Sequence, residues 1–321
     1  MKKSKGIIST LLAVAVIGGA IIGTTKLIQS INSKPKNAVV DFYNADTIYG
    51  DDIYNIVRNI SKNADYEISY YDAAKEKVEK PTTDGDYSIE VNIKESKLYK
   101  AGTFKKDFKY INTSSEKVAG YFHASADSWG GDASGTSVNC SVENVKTVAS
   151  EVKLNINLLD DSSACLDSEF TMFDGTFQIL FKTNLTDYGT FAFWLTGVSG
   201  EENTKDEVTI ELTKDKVVFG SAKGDDYVTH DKVLDIDYAN GYWHSLEIFY
   251  NHATPEAIVT MDSQVIHTFA TEELPNVEYV KPHVGLLYPT NPKWTGEKTN
   301  KQVTASVANY KVYKTSGETQ W

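Results

Sequence analysis

Between Asp206 and Thr213 the chain reads DEVTIELT, and its residue types alternate. Glu207, Thr209 and Glu211 fall on one side, and Val208, Ile210 and Leu212 on the other. Side chains of a strand point alternately to its two faces, so the two glutamates and the threonine share a face. At ~3.3 Å per residue the two glutamate Cα atoms stand about 13 Å apart, and carboxyl groups leaning over Thr209 approach to about 5 Å. That is the separation at which one carboxylate can attack an anomeric carbon while the other protonates the departing oxygen and later activates water. The same alternation also describes the polar face of any half-buried strand. The surrounding segments therefore have to decide between chemistry and a solvated surface.

Those segments are overwhelmingly β in character. Short alternating runs recur from about residue 116 onward, among them EVKLNINLL, GTFQILFKT, GTFAFWLTG, DKVVFGS, YWHSLEIFY, AIVTMDSQVIHTF and VTASVANYKVYKT. Turn-forming residues separate them and no long helical period intervenes, which predicts an all-β sandwich or jelly roll over residues 112–316. Residues 38–111 read as a small module: a helical stripe in DDIYNIVRNI, then strands in YEISYYDA and DYSIEVNI around the turn KPTTDG. Its ending is similar to small immunoglobulin-like spacer modules. Residues 1–37 open with the basic MKKSK, continue through the uncharged GIISTLLAVAVIGGAIIG and end in a polar stretch. This predicts an N-terminal hydrophobic helix, acting as a signal or membrane anchor, followed by a tether. The remainder of the chain is then exported, to a bacterial cell surface or beyond.

Composition narrows the partners. The chain of 321 residues carries a net charge of −12, and Arg58 is the single arginine among 32 basic residues. Nucleic acid is excluded as a partner on that balance. The two cysteines, Cys140 and Cys165, have no metal-ligand spacing, and in an oxidising compartment they are expected to pair.

The order of segments around DEVTIELT resembles glycoside hydrolase family 16, and most closely its lichenase-like and laminarinase-like β-glucanases. VNCSVENVK and SACLDSEF are similar to the stretches that carry the family's disulfide cysteines. FDGTFQILFKT, FAFWLTG, YANGYWHSLEIFY, MDSQVIHTF and PHVGLLYPTNPKWTG follow in family order over about 200 residues. The resemblance implies a concanavalin A-like β-jelly-roll sandwich with a glycan cleft, a β-glucan-like polysaccharide as partner, and no cofactor, with room for a structural calcium at the acidic turns Asp160–Asp161 or Asp225–Asp226. It implies Glu207 as nucleophile and Glu211 as acid/base. Asn139, Lys205, Trp194, Tyr288 and Trp294 then stand as substrate-binding residues. Thr209 occupies the place where the family has aspartate, and Lys205 the place of a tryptophan. A hydroxyl can donate to Glu207 but carries no charge, so a lowered rate and a downward-shifted pH optimum are expected. The strand after the motif offers only Phe219, Gly220, Ser221 and Ala222 where the family has larger cleft residues. These departures motivate the alternative of a catalytically degenerate, carbohydrate-binding surface protein.

Overall fold

The alternating runs form strands in a computed structural model that describes residues 34–130, 137–200, 202–275, 277–288, 291, 293 and 296–313. The expected N-terminal helix lies outside the described residues. Two compact units are present: the first comprises the chain up to Ile48 together with Ile53–Tyr110, and the second comprises Tyr49–Asp52 and Ile111 onward.

The first unit is built from β1 (Val40–Phe42), β2 (Thr47–Tyr49), β3 (Val57–Ile60), β4 (Tyr66–Asp72), β5 (Lys77–Val78), β6 (Gly85–Ile93) and β7 (Gly102–Ile111). Five of these form one sheet in the order β2-β7-β6-β4-β5, and β1 pairs with β3. The helical stripe expected over residues 51–60 is instead a 3-10 turn, Gly50–Asn55, followed by β3. The β-branched Val57 and Ile60 favour extended backbone, and pairing with Phe42 and Val40 of β1 satisfies that backbone across a ladder. Ile53 and Ile56 still reach the core, which is why their spacing looked helical.

The second unit contains β8 (Phe122–Ser125), β9 (Ser128–Gly130), β10 (Ser137–Asn139), β11 (Val145–Thr147), β12 (Val152–Asn155), β13 (Ala164–Ser168), β14 (Gly175–Thr183), β15 (Thr190–Ser199), β16 (Glu202–Leu212), β17 (Val217–Lys223), β18 (Asp226–Lys232), β19 (His244–Asn251), β20 (Glu256–Met261), β21 (Gln264–Thr268), β22 (Tyr279–Leu287) and β23 (Thr304–Tyr313). They make two seven-stranded sheets, β18-β17-β16-β15-β22-β13-β8 and β11-β12-β23-β14-β19-β20-β21. This is the expected β-sandwich. The last strand does not close an edge: β23 sits inside the second sheet between β12 and β14.

One continuous core fills the space between the sheets. Phe191, Phe193, Val208, Ile210, Leu212, Phe219 and Val284 come from the first sheet, and Phe177, Phe181, Leu246, Ile248, Val259 and Val307 from the second. Phe181 stacks on Phe191 across the gap with ring centroids 4.9 Å apart. Because these apolar residues take one face of the first sheet, its alternate residues are turned away from the core.

A smaller apolar cluster lies on that outer face. Cys165 of β13 is bonded to Cys140, just past β10, and the pair packs with Val138, Ala192 and Leu287 beside Trp194. The β9–β10 hairpin is thereby held against the sheet next to the glutamate strand. The bond spans 25 residues, and closing a loop of that size contributes about 3 kcal/mol in the chain-entropy model. Replacing both cysteines by serine is expected to lower the unfolding free energy by about that amount. Hydrogen exchange should then rise in β9–β10 and leave the β14 and β19 amides protected. Equal loss of protection in both places would show that the bond supports the core rather than the hairpin.

Candidate active site on the outer face of the sheet

Register places the sequence candidates in three transverse rows. Thr209 of β16 stands opposite Gly220 of β17 and Trp194 of β15; Trp194 is opposite His283 of β22, and His283 opposite Asp167 of β13. On one side of this row Glu207 is flanked by Ala222 and Thr196, with Tyr227 and Lys281 beyond them. On the other side Glu211 is flanked by Val218 and Ala192, and the row continues through Gly285 to Cys165. Directly opposed residues on one face bring their Cβ atoms to about 5 Å, so these rows form a single polar surface bordered by the disulfide.

Thr209 and Glu211 are buried on this face and Glu207 is partly so. Burial alone raises the Glu207 carboxyl to about 7, because an ionised carboxylate loses hydration there. The Tyr227 phenol reaches over from β18. Burial first, and then the charges of Glu211 and Glu207, push its ionisation far above the ordinary tyrosine range, partly offset by the nearby Thr209 hydroxyl. The Thr209 hydroxyl is itself buried without a completed hydrogen bond.

The far end of the central row is also ordered. His283 Nδ1 lies 2.7 Å from Asp167 Oδ1, and the imidazole stacks on Trp194 with centroids 5.0 Å apart and planes within 11°. Burial pushes Asp167 up, but the hydrogen bond and charge of His283, the Ser125 hydroxyl and the charge of Lys281 together hold it below the usual carboxylate range. Trp194 is therefore part of the site floor beside Thr209, fixed by the His283–Asp167 pair.

The other sequence candidates are spread more widely. Asn139 ends the hairpin pinned by Cys140; its side chain is exposed, and its carbonyl accepts a hydrogen bond from Ser163 N at 2.7 Å. Lys205 is exposed and pairs with Asp225 of the β17–β18 turn, which also pushes the lysine up and the aspartate down in pKa. Tyr288 follows β22, meets Tyr188 edge-on at 5.8 Å and packs against the main core. Trp294 lies outside the described residues. At the acidic turns, Asp160 accepts from Ser162 and Asp161 is paired with Lys298. No cluster of three metal-ligating side chains occurs among the described residues.

Tyr227, Lys281, His283 and Asp167 escaped the sequence reading as members of the site. Their common signal is strand register across four neighbours, which no local pattern encodes. Gly220 and Ala222 were read only as missing cleft residues. In the fold they open a slot across β17.

No protein-family model and no curated protein sequence matches this chain. Solved structures do. A Bacillus licheniformis β-glucanase superposes with a TM-score of 0.51 at 20% identity, over 61% of this chain and 92% of its own. The fold is that of the family 16 β-glucanases. A prokaryotic β-1,3-1,4-glucanase (lichenase) from a mouse hindgut metagenome gives 0.48 at 19% identity, over 59% of this chain and 92% of its own. The laminarinase catalytic domain of Thermotoga maritima gives 0.47 at 16%, over 60% and 91%. In this β-glucanase-like jelly roll, the outer face carrying Glu207 and Glu211 is the candidate active site.

The raised Glu207 pKa has a thermodynamic signature. The folded protein holds the Glu207 proton more tightly than the unfolded chain does. Stability from this group is complete below about pH 4.5 and is lost as pH rises toward about 7. Glu207→Gln removes the buried charge, and is expected to stabilise the protein at pH 8 by on the order of 2 kcal/mol, several degrees in Tm, and by nothing at pH 4. Thermal unfolding of both proteins at the two pH values checks this, and a gain of the same size at both would refute it.

Proposed function

We propose that the chain is a retaining, endo-acting β-glycan hydrolase or transglycosylase acting on glucans of the β-1,3 or β-1,3-1,4 type. The observation that carries the reading is the placement of Glu207 and Glu211 on one open face, either side of Thr209, in a sheet whose fold is shared with a β-glucanase. In this reading the Glu207 carboxylate attacks the anomeric carbon as the glycosidic C–O bond breaks. The Glu211 carboxyl gives its proton to the departing oxygen. Glu211, now ionised, takes a proton from water or from an acceptor sugar hydroxyl. That oxygen then displaces Glu207 from the anomeric carbon. Water gives hydrolysis and a sugar gives transglycosylation. Trp194, held by His283, offers an aromatic surface beside the reacting centre. The apolar segment 6–23 and the tether that follows would keep the enzyme at the cell surface, with the immunoglobulin-like module as spacer.

The pH dependence follows from Glu207. Attack needs the ionised carboxylate, and burial holds that group at about 7. The acid limb of kcat/KM is therefore expected near pH 7, opposite in direction to the lowered optimum anticipated from Thr209 alone. A limb below pH 5.5 would show that Glu207 is not the group that must ionise.

A second reading is supported by Thr209, an uncharged residue between the two glutamates: a protein that holds the glycan without cleaving it. The purified protein should be incubated with barley β-glucan and with laminarin and followed for new reducing ends, beside Glu207→Gln and Glu211→Gln. Release of reducing ends that falls at least about 1,000-fold in both variants supports the enzyme. Retained glycan binding with no release in any of the three proteins supports the binding reading.

A further inference from the structure

On the face of the glutamates, β17 offers only glycine and alanine beside Thr209 and Glu207, yet an aromatic ring reaches over it. We propose that Tyr227 is a sugar-binding residue: its ring, laid across β17 at Gly220, is a stacking platform for one pyranose of the glycan, on the side of β16 away from Trp194. Two aromatic surfaces then flank the glutamate pair, one for each arm of a bound chain. The inference rests on the reading of this face as a glycan cleft and adds a residue that the reading did not contain.

Register puts Tyr227 on the glutamate face. It stands opposite Ala222, which stands opposite Glu207. Its phenol reaches the neighbouring row. A Cβ at Gly220 would stand 2.5 Å from the Tyr227 hydroxyl and 3.1 Å from the ring carbon that bears it. The tip of the ring therefore rests on bare backbone of β17, and any side chain at 220 would lift it away, which gives a glycine in a strand interior a purpose. Thr209 Oγ1 lies 2.4 Å from the same point, so the ring ends beside the middle of the glutamate strand. The charges of both Glu211 and Glu207 are felt at the phenol.

Tyr227 is nonetheless 50% exposed, whereas the tyrosines that build the core, Tyr188, Tyr250 and Tyr310, are 2% exposed or less. A ring whose tip lies against backbone while half of its surface meets water has the form of a carbohydrate platform. The C–H face of an equatorially substituted pyranose is apolar and lies flat on such a ring, with its hydroxyls left at the rim. Trp194 is the counterpart on the other side: it is half-buried, opposite Thr209 on β15, and stacked on His283. From β17 to β15 is two strand spacings, about 10 Å. A glycan running across the strands then places linked rings on the two aromatic surfaces and the bond to be cleaved near Glu207 and Glu211.

The test uses the full chain carrying Glu207→Gln, so that the ligand is not consumed, with laminarihexaose and a β-1,3-1,4-linked glucan hexasaccharide as probes. Calorimetry is expected to show binding weakened at least about tenfold by Tyr227→Leu and held within about twofold by Tyr227→Phe, which keeps the ring. Gly220→Ala keeps the tyrosine but lifts its ring, and should weaken binding as Tyr227→Leu does. Hydroxyl-radical footprinting needs no change at 227: saturating hexasaccharide should shield Tyr227 from oxidation and leave the exposed Tyr54 of the first unit as reactive as before. Unchanged affinity in Tyr227→Leu, or unshielded Tyr227 in the saturated protein, would overturn the inference while the glycan cleft stands on the binding itself. Binding of neither hexasaccharide would overturn the reading of the face as a glycan cleft, and the inference with it.

Discussion

Everything in the second unit depends on the commitment of β16 to one register. Val208, Ile210 and Leu212 are buried against the opposite sheet, and a slip of one residue would exchange them for Glu207, Thr209 and Glu211. Burying two carboxylates in the core while exposing three large apolar side chains would be far costlier than any gain from altered pairing. The hydrophobic core thus specifies the chemistry without touching it. It also specifies the partners, because antiparallel pairing carries the register outward from β16 to β17 and β18 on one side and to β15, β22 and β13 on the other. His283 and Asp167 meet only because both chains of pairing are kept.

The outer face shows the opposite balance. Thr209 and Glu211 are buried on it and burial raises the Glu207 carboxyl, while Tyr227 at its margin stays half exposed. A face selected for stability would carry short neutral residues or paired ions. Ion pairs are present nearby, Lys205 with Asp225 and Lys216 with Asp231, but they sit at the sheet margin in water, where they contribute little. The disulfide and the Val138–Leu287 cluster cover the other margin. The carboxyl raised by burial therefore lies between these restraints, as expected of a functional surface.

The sequence made the sandwich legible because period-two alternation is local: each strand of the second unit can be read from its own residues. The pair of glutamates and their shared face were legible for the same reason, whereas the disulfide was legible from two cysteines without metal-ligand spacing in a chain expected to be exported. Residues 51–60 misled because Ile53, Ile56, Val57 and Ile60 satisfy a helical spacing, while a 3-10 turn and a strand bury Ile53 and Ile56 and half-bury Val57 and Ile60. The extended site was not legible. Tyr227 and His283 lie 16 and 72 positions beyond Glu211, and their neighbourhood exists only after five strands have paired. Gly220 and Ala222 were visible, but absence of side chain has no sign until the space it leaves is seen to be occupied.

That occupancy bears on how Thr209 should be judged. Read alone, a threonine between the two glutamates is a loss of charge, and a sheet strand reading Phe219, Gly220, Ser221, Ala222 is a loss of contacts. Taken together with Tyr227 they are complementary. An aspartate at 209 would bring a third negative charge to a poorly hydrated face already holding two carboxylates, and each like charge raises the ionisation cost of the others. A threonine removes that repulsion but supplies only one proton and no charge. The Tyr227 hydroxyl comes within about 5 Å of it, over a position that only glycine on the intervening strand leaves free. Decay of a site leaves independent losses. Here the losses at 209, 220 and 222 open onto one another, and a single side chain from the neighbouring strand enters the space they share.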